Sequence, residues 1–562
     1  MEPVNSNAGA SGAIASIVAT RHEAVRRMPA GREWRVALWL GIGFLLLWGV
    51  ATALAYQAPD IDSAEQFVWA VSLEGGYYKH PPLPTWIMHG LIALFGPSLV
   101  LPVVAAQACI ATALALTWRL GCEFMSPLRS GAATLLTSLV TYYNIGGDSF
   151  NHNTVLLPFQ AATLLLFYLA TRRGGSLMLW TLMGLLAGLS VLVKYVALAP
   201  LAGMALYFVL DRSLHRREVL LGALLASAVF VLVLLPHAWW LVSVDFLPIR
   251  YAQFVTHKLP ETLAPLPKVA DFVFTQLQRM IPFFIALAVL ATKLRVRRAG
   301  ALKSGMPAAQ PAERLSADDR LFVWIAALAP LLIVLAVGLF GGTALAARWG
   351  TNAFLLCGHV ALLAVAMLRG TDAHRLWRIT LWIVLPLQLL LCVGQTIGKT
   401  IGADWLGIPT RPNYPGALLA RMAESTWREH AGPNAGPLRL IASDSWLGGN
   451  LILHAHGQPR QVLIDGSHRH TPWVAPDAAA NCGMLVLEDI TGNRHTPSQP
   501  HPELDALMAA TDVGGVWTLA WSGKQRKEPT GPRAIIRWGI IARTATGASC
   551  PIGKEAGGAN GN

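Results

Sequence analysis

Charge is what this sequence has least of. Only 13% of its 562 residues are Asp, Glu, Lys or Arg, while 54% are hydrophobic; soluble domains carry about 25% charged residues. That shortage excludes an ordinary soluble enzyme and makes a bilayer the fitting solvent. Acidic residues are the scarcer sign, 31 against 44 basic, which leaves a formal charge of +13. A basic chain can point to nucleic acid. Here, however, the Arg and Lys residues stand in short clusters between apolar runs, as the positive-inside rule requires, so no nucleic-acid partner is expected. Cysteine is also sparse, six in all. Cys109, Cys122, Cys357 and Cys392 fall in or beside apolar runs, where Cys is a small buried hydrophobe. Cys482 and Cys550 lie in the polar carboxy-terminal part, and spacing alone does not decide whether they pair. No compact His or Cys metal-ligand spacing and no solenoid-length repeat is present. No cofactor is called for, and a divalent metal is left open.

What the chain has is long apolar runs. The amino-terminal segment, residues 1–35, is polar and carries Arg21, Arg26, Arg27, Arg32 and Arg35. The first run, at 36–55, follows it too late for a cleavable signal and reads as a retained anchor with the amino terminus inside. Further runs lie near 97–117, 130–146, 153–171, 176–193, 195–211, 218–242, 278–293, 321–341, 351–368 and 378–400, giving about eleven membrane-spanning helices. Alternate connections are basic, with Arg119 and Arg129, Arg172 and Arg173, Arg216 and Arg217, Arg295 to Arg298, and Arg375 and Arg378. The opposite set is sparse, with Lys79, Lys194, Arg348 and one long loop at 243–277. Residues 36–401 therefore form a polytopic α-helical membrane domain in the inner membrane. An odd number of spans places 402–562 on the periplasmic side, where short apolar runs alternate with helical stretches, as in a small α/β domain. The segment 294–320 reads as a flexible cytoplasmic linker.

Candidate chemistry lies in the outer connections. In the first, Asp62 and Glu65 are three residues apart and share one face of a helix. A carboxylate half shielded from water at the bilayer surface suits general-base work; Asp62 equally suits an N-cap with Glu65 in the capping-box position. The same loop continues through Tyr77-Tyr78-Lys79-His80-Pro81-Pro82. The second connection carries Asp148, Asn151 and His152 at the start of a helix, and either Asp148 or Asn151 caps that helix or meets a ligand. Lys194 and Arg348 sit at span ends on the same side; they either snorkel to headgroups or hold a phosphate.

These segments, Asp62-Ser63-Ala64-Glu65 with Trp69, Gly76 to Leu83, Asp148 with Asn151 to Thr154, and Gly188 to Tyr195, resemble the membrane glycosyltransferases of family 39. That family includes protein O-mannosyltransferases and aminoarabinose transferases acting on lipid A. The resemblance covers about the first 210 residues, and beyond them only the Arg348-Trp349 pair and the overall layout. It implies a GT-C fold and a polyprenyl-phosphate sugar donor. It also implies an acceptor outside the cytoplasm, a lipid, glycan or protein. It implies Asp62 as catalytic base, Asp148 as the second acidic residue, and Tyr77, Lys79, His80, Asn151, His152, Lys194 and Arg348 as substrate-binding groups, with inversion at the anomeric carbon. Two departures stand out: Ser63 where many relatives have Glu, which raises Glu65 as a stand-in, and Lys79 where many have Asp. The rival class is a transporter or flippase, which would show paired repeats and charges near the midplane.

Overall fold

The computed structural model describes residues 31–550 and 552, apart from 174–175, 212–214, 258–264, 304–314, 366–370, 433–434, 457–460, 493–500, 522–531 and 545–549. The expected arginines of 1–30 and Lys258 lie outside the described residues. Among the described residues, six helices are long and apolar enough to cross a membrane: Glu33–Ala55, Val100–Gly121, His152–Arg172, Arg217–Ser243, Ala317–Phe340 and Ala373–Trp405. The bent pair Pro265–Arg279 and Ile281–Val296 makes a seventh, and Leu83–Phe95, Leu177–Val193 and Tyr195–Leu210 are shorter apolar helices.

Two of the expected full spans are half-helices. The run at 130–146 folds as Pro127–Thr137, and that at 351–368 as Cys357–Ala364. At 1.5 Å per residue, 11 and 8 residues fall well short of a hydrocarbon core of about 30 Å. They pack against each other, with Gly358 leaving no room for a Cβ beside the Ala133 carbonyl. Irregular backbone at this depth survives only where protein satisfies its polar groups. Asn144 donates to the Ser138 carbonyl at 3.0 Å and Gln107 to the Gly147 carbonyl at 2.7 Å. Nearby, Trp48 of the first helix donates to Gln388 of the last at 3.1 Å, and Gln388 donates to the Ser138 carbonyl and hydroxyl at 2.9 Å each. This clasp ties the ends of the membrane domain together through a buried amide.

Residues 258–264 and 304–314 lie outside the described residues, and the described parts of the segments expected to be loop or linker are largely helical. The long loop contains Leu247–His257 and the start of Pro265–Arg279. The stretch from 294 continues the helix Ile281–Lys303 before the next begins at Ala317.

The carboxy-terminal part holds a five-stranded sheet, β1 (Leu440–Ser443), β2 (Gln461–Ile464), β3 (Met484–Asp489), β4 (Val513–Ala520) and β5 (Arg533–Ile541), in the order β2-β1-β3-β5-β4. Strands β2, β1 and β3 run parallel; β5 pairs antiparallel with β3 and β4. Alternation puts Ile441, Leu485 and Leu487 on the face covered by helices Gly416–His430 and Ser445–His454. Leu440, Ala442, Met484 and Val486 line the other face, with helix Ala478–Cys482. Cys482 and Cys550 form a disulfide there.

Candidate active site

Asp60, not Asp62, caps the first-loop helix Ile61–Trp69, accepting from the Asp62 N–H at 3.4 Å. The cap expected at Asp62 is thus displaced by two residues. Asp62 sits in the first turn with its side chain free, and its Oδ2 accepts from Arg348 Nη1 at 2.7 Å. Arg348 belongs to the short segment Ala347–Ala353, whose carbonyls are held from below. Tyr142 donates to Ala347 at 2.5 Å, Tyr143 to Thr351 at 2.9 Å and Gln160 to Asn352 at 2.9 Å. The guanidinium therefore reaches Asp62 from a fixed base, although 286 residues separate them.

Glu65 lies one turn further and is buried, paired with Lys79 at 2.5 Å and touched by the Ser445 hydroxyl at 3.4 Å. Burial pushes the Glu65 carboxyl up and the Lys79 ammonium pulls it back. On Lys79 burial opposes the charge, and the Glu65 carboxylate together with Tyr78 and Tyr251 outweighs it, holding the ammonium well above the usual lysine range. This is a mutually neutralised buried pair.

The second loop docks onto the first. The Ser149 hydroxyl donates to Asp60 at 3.1 Å and the Phe150 N–H to the Ser63 hydroxyl at 3.0 Å. Asn151 resolves the capping question for the next helix, accepting from the N–H groups of Asn153 at 2.9 Å and Thr154 at 3.1 Å. His152, just inside that helix, faces His80 with ring centroids 4.0 Å apart. Burial, then the charges of Lys194, Lys79 and Arg348 with the His152 ring, pushes His80 well below the usual histidine range, so it sits neutral at this spot. Lys194 is buried, donates to Asn153 Oδ1 at 2.6 Å, and feels both Arg348 and Asp62. Lys79, His80, His152, Lys194 and Arg348 thus form one basic cluster against Asp62 and Glu65. Tyr77 stands beside this cluster, stacked on Trp69 at 5.0 Å, with its hydroxyl on the Ser72 carbonyl at 2.6 Å.

Asp148, which the resemblance makes the second acidic residue beside the base, is held by a different set of partners from Asp62. Its Oδ2 accepts from Tyr56 at 2.7 Å, Lys399 at 2.9 Å and Gln395 at 3.0 Å, at the ends of the first and last membrane helices. The two acidic centres are separate sets of partners joined through Asp60, which holds Ser149 on one oxygen and Arg411 at 3.0 Å on the other. Sequence reasoning missed Asp60, Lys399 and Arg411. For Lys399 a signal existed: a lysine at the carboxy-terminal end of the last apolar run, among the connections that carry few cations in the sequence. Among the described residues, no group of three His, Cys, Asp or Glu side chains is arranged to hold a metal ion.

The family model for dolichyl-phosphate-mannose-protein mannosyltransferases matches residues 79–240. The lipopolysaccharide core galacturonosyltransferase RgtA of Rhizobium johnstonii is 28% identical over 404 residues, 70% of this chain and 75% of its own length. The lipid A galacturonosyltransferase RgtD of the same organism is 30% identical over 228 residues, 40% of this chain and 47% of its own, so the chain spans about half of that relative. In fold, the chain matches the crystal structure of ArnT from Cupriavidus metallidurans bound to undecaprenyl phosphate, with TM-score 0.55 and 12% identity over 90% of this chain and 98% of that one. Taken with the ordered motifs of the first 210 residues, these matches show a chain similar to membrane glycosyltransferases and built on an ArnT-like fold.

Proposed function

We propose that this chain transfers a sugar from a polyprenyl phosphate to an envelope glycolipid on the periplasmic face of the inner membrane, with inversion. The relatives named as galacturonosyltransferases favour a hexuronic acid as the sugar and lipid A or its core as the acceptor. The observation that carries the reading is the Asp62–Arg348 contact of 2.7 Å inside a basic cluster. In a single displacement Asp62 takes the proton of the acceptor hydroxyl as its oxygen bonds to the anomeric carbon. The bond from that carbon to the phosphate oxygen breaks, and its electron pair leaves with the lipid phosphate. Arg348, with Lys194 beside it, stabilises the charge growing there, where water is partly excluded and such contacts strengthen. Arg348 does two things from one position, orienting the base before reaction and facing the departing phosphate during it.

The test is Asp62→Asn in purified protein, supplied with undecaprenyl-phosphate-linked galacturonic acid and lipopolysaccharide truncated near lipid A. Transfer should fall by about 10²-fold or more, with binding of undecaprenyl phosphate retained. Undiminished transfer by this variant refutes the assignment of the base.

A further inference from the structure

The sheet domain turns the carboxyl ends of its parallel strands toward the first loop. Strand β1 lies between β2 and β3, and the connections leaving it and returning past it cover opposite faces. The carboxyl ends of such strands border a crevice at the point where the strand order reverses. Those ends carry Asp444 after β1, Asp465 after β2 and Asp489 at the end of β3. Asp444 is spent on its own helix, accepting from the N–H groups of Trp446 at 2.6 Å and Leu447 at 2.9 Å. Asp465 is not spent in this way. Its oxygens lie 3.4 Å from His470 Nδ1 and 3.7 Å from His501 Nδ1, beyond the roughly 2.7–3.2 Å of a formed N–H···O bond. His470 Nδ1 has no hydrogen-bond partner among the described residues.

This trio, in which the contacts to Asp465 are longer than formed hydrogen bonds, abuts the basic cluster. The His470 ring stacks on Tyr78 at 4.1 Å, and Tyr78 meets Tyr251 edge-on at 5.6 Å. Lys79 Nζ lies 4.9 Å from one tyrosine ring and 5.5 Å from the other. Both tyrosines feel Asp465 together with Lys79 and Glu65. A lone carboxylate repels phosphate, so the trio does not extend the anion site. A carboxylate and two imidazoles with spare bonding capacity match hydroxyls, which donate and accept at once, and the ring faces suit the C–H side of a pyranose.

We propose that Asp465, His470 and His501 form the subsite for the acceptor's sugar, with Tyr78 fixing the His470 ring. This rests on the transferase reading above and names where its acceptor lies. The test titrates truncated lipopolysaccharide, and separately undecaprenyl phosphate, into the full-length protein in detergent, following tryptophan fluorescence. Asp465→Asn keeps the side-chain shape and tolerates the positive φ of 55° at that turn; His470→Ala and His501→Ala remove one imidazole each. Asp465→Asn and His470→Ala should weaken lipopolysaccharide binding roughly tenfold or more and leave undecaprenyl phosphate binding unchanged. Unchanged lipopolysaccharide affinity in all three variants, an equal loss for both ligands, or no saturable lipopolysaccharide binding by the unaltered protein overturns the subsite. The Asp62→Asn result separates the two ideas: transfer by that variant sinks the base while these binding measurements still decide the subsite.

Discussion

Removing one member of the Glu65–Lys79 pair should cost far more than removing both. The charges are 2.5 Å apart, and their side chains are only 9% and 21% exposed. At an effective dielectric near 20, the Coulomb attraction at that distance is about 7 kcal/mol. Most of this offsets the desolvation of the two ions, so the pair's net contribution is small. Glu65→Gln leaves the ammonium buried with its charge unmatched and should destabilise by roughly 3–5 kcal/mol. Lys79→Met leaves the carboxylate in the same position, except that it can take up a proton, so its cost should be smaller and should shrink on acidification. The double variant should recover most of the loss. Thermal unfolding in detergent, read by tryptophan fluorescence, gives the four corners of the cycle. A Glu65→Gln protein that unfolds like the parent yet transfers no sugar would refute this reasoning, because the carboxylate would then be acting on substrate and not on Lys79.

Gly449 of helix Ser445–His454 lies against the first-loop helix so closely that a Cβ there would stand 2.8 Å from Ala64 Cα. Gly449→Ala should therefore shift the sheet domain off the loop, destabilise by about 1–3 kcal/mol and lower transfer, as measured by melting and turnover. Asp444 is pushed up to about 7, by burial first and then by Asp465 and Asp489 against the opposing N–H of Leu447. The folded state thus holds its proton where the unfolded chain has lost it, and stability from this carboxyl is full below about pH 4 and falls as pH rises toward 7. Asp444→Asn keeps the cap and should raise the melting temperature at pH 8, with the difference vanishing near pH 4. The disulfide closes a sequence separation of 68 residues, so replacing both cysteines by alanine should cost about 4 kcal/mol, read as a lower melting temperature insensitive to reductant.

Much of the membrane domain was legible because apolar runs of spanning length need no partner to be recognised. The two runs that fold as half-helices were not, since hydropathy reports burial from water and not whether lipid or protein does the burying. Asp62 stood out by type and place, but its release from capping depended on Asp60, which fits the helix start equally well. Asp148 was found and its setting was not. Its partners Gln395 and Lys399 lie some 250 residues away, and a charge pair across that distance leaves no periodic trace. The same holds for Asp465 with His501 and for the seam between Tyr78 and His470, which exist only once the sheet domain is seated.

The Trp48–Gln388–Ser138 clasp bears on the order in which the protein is made. Trp48 and the carbonyl of Ser138 enter the bilayer long before Gln388 leaves the ribosome, with some 340 and 250 residues intervening. Until then the Trp48 indole N–H lacks its acceptor, and the Ser138 carbonyl has Asn144 as its donor but not Gln388. The early helices are accordingly incomplete as a unit, and a nascent chain stopped before the final helix should be a target for membrane proteolysis.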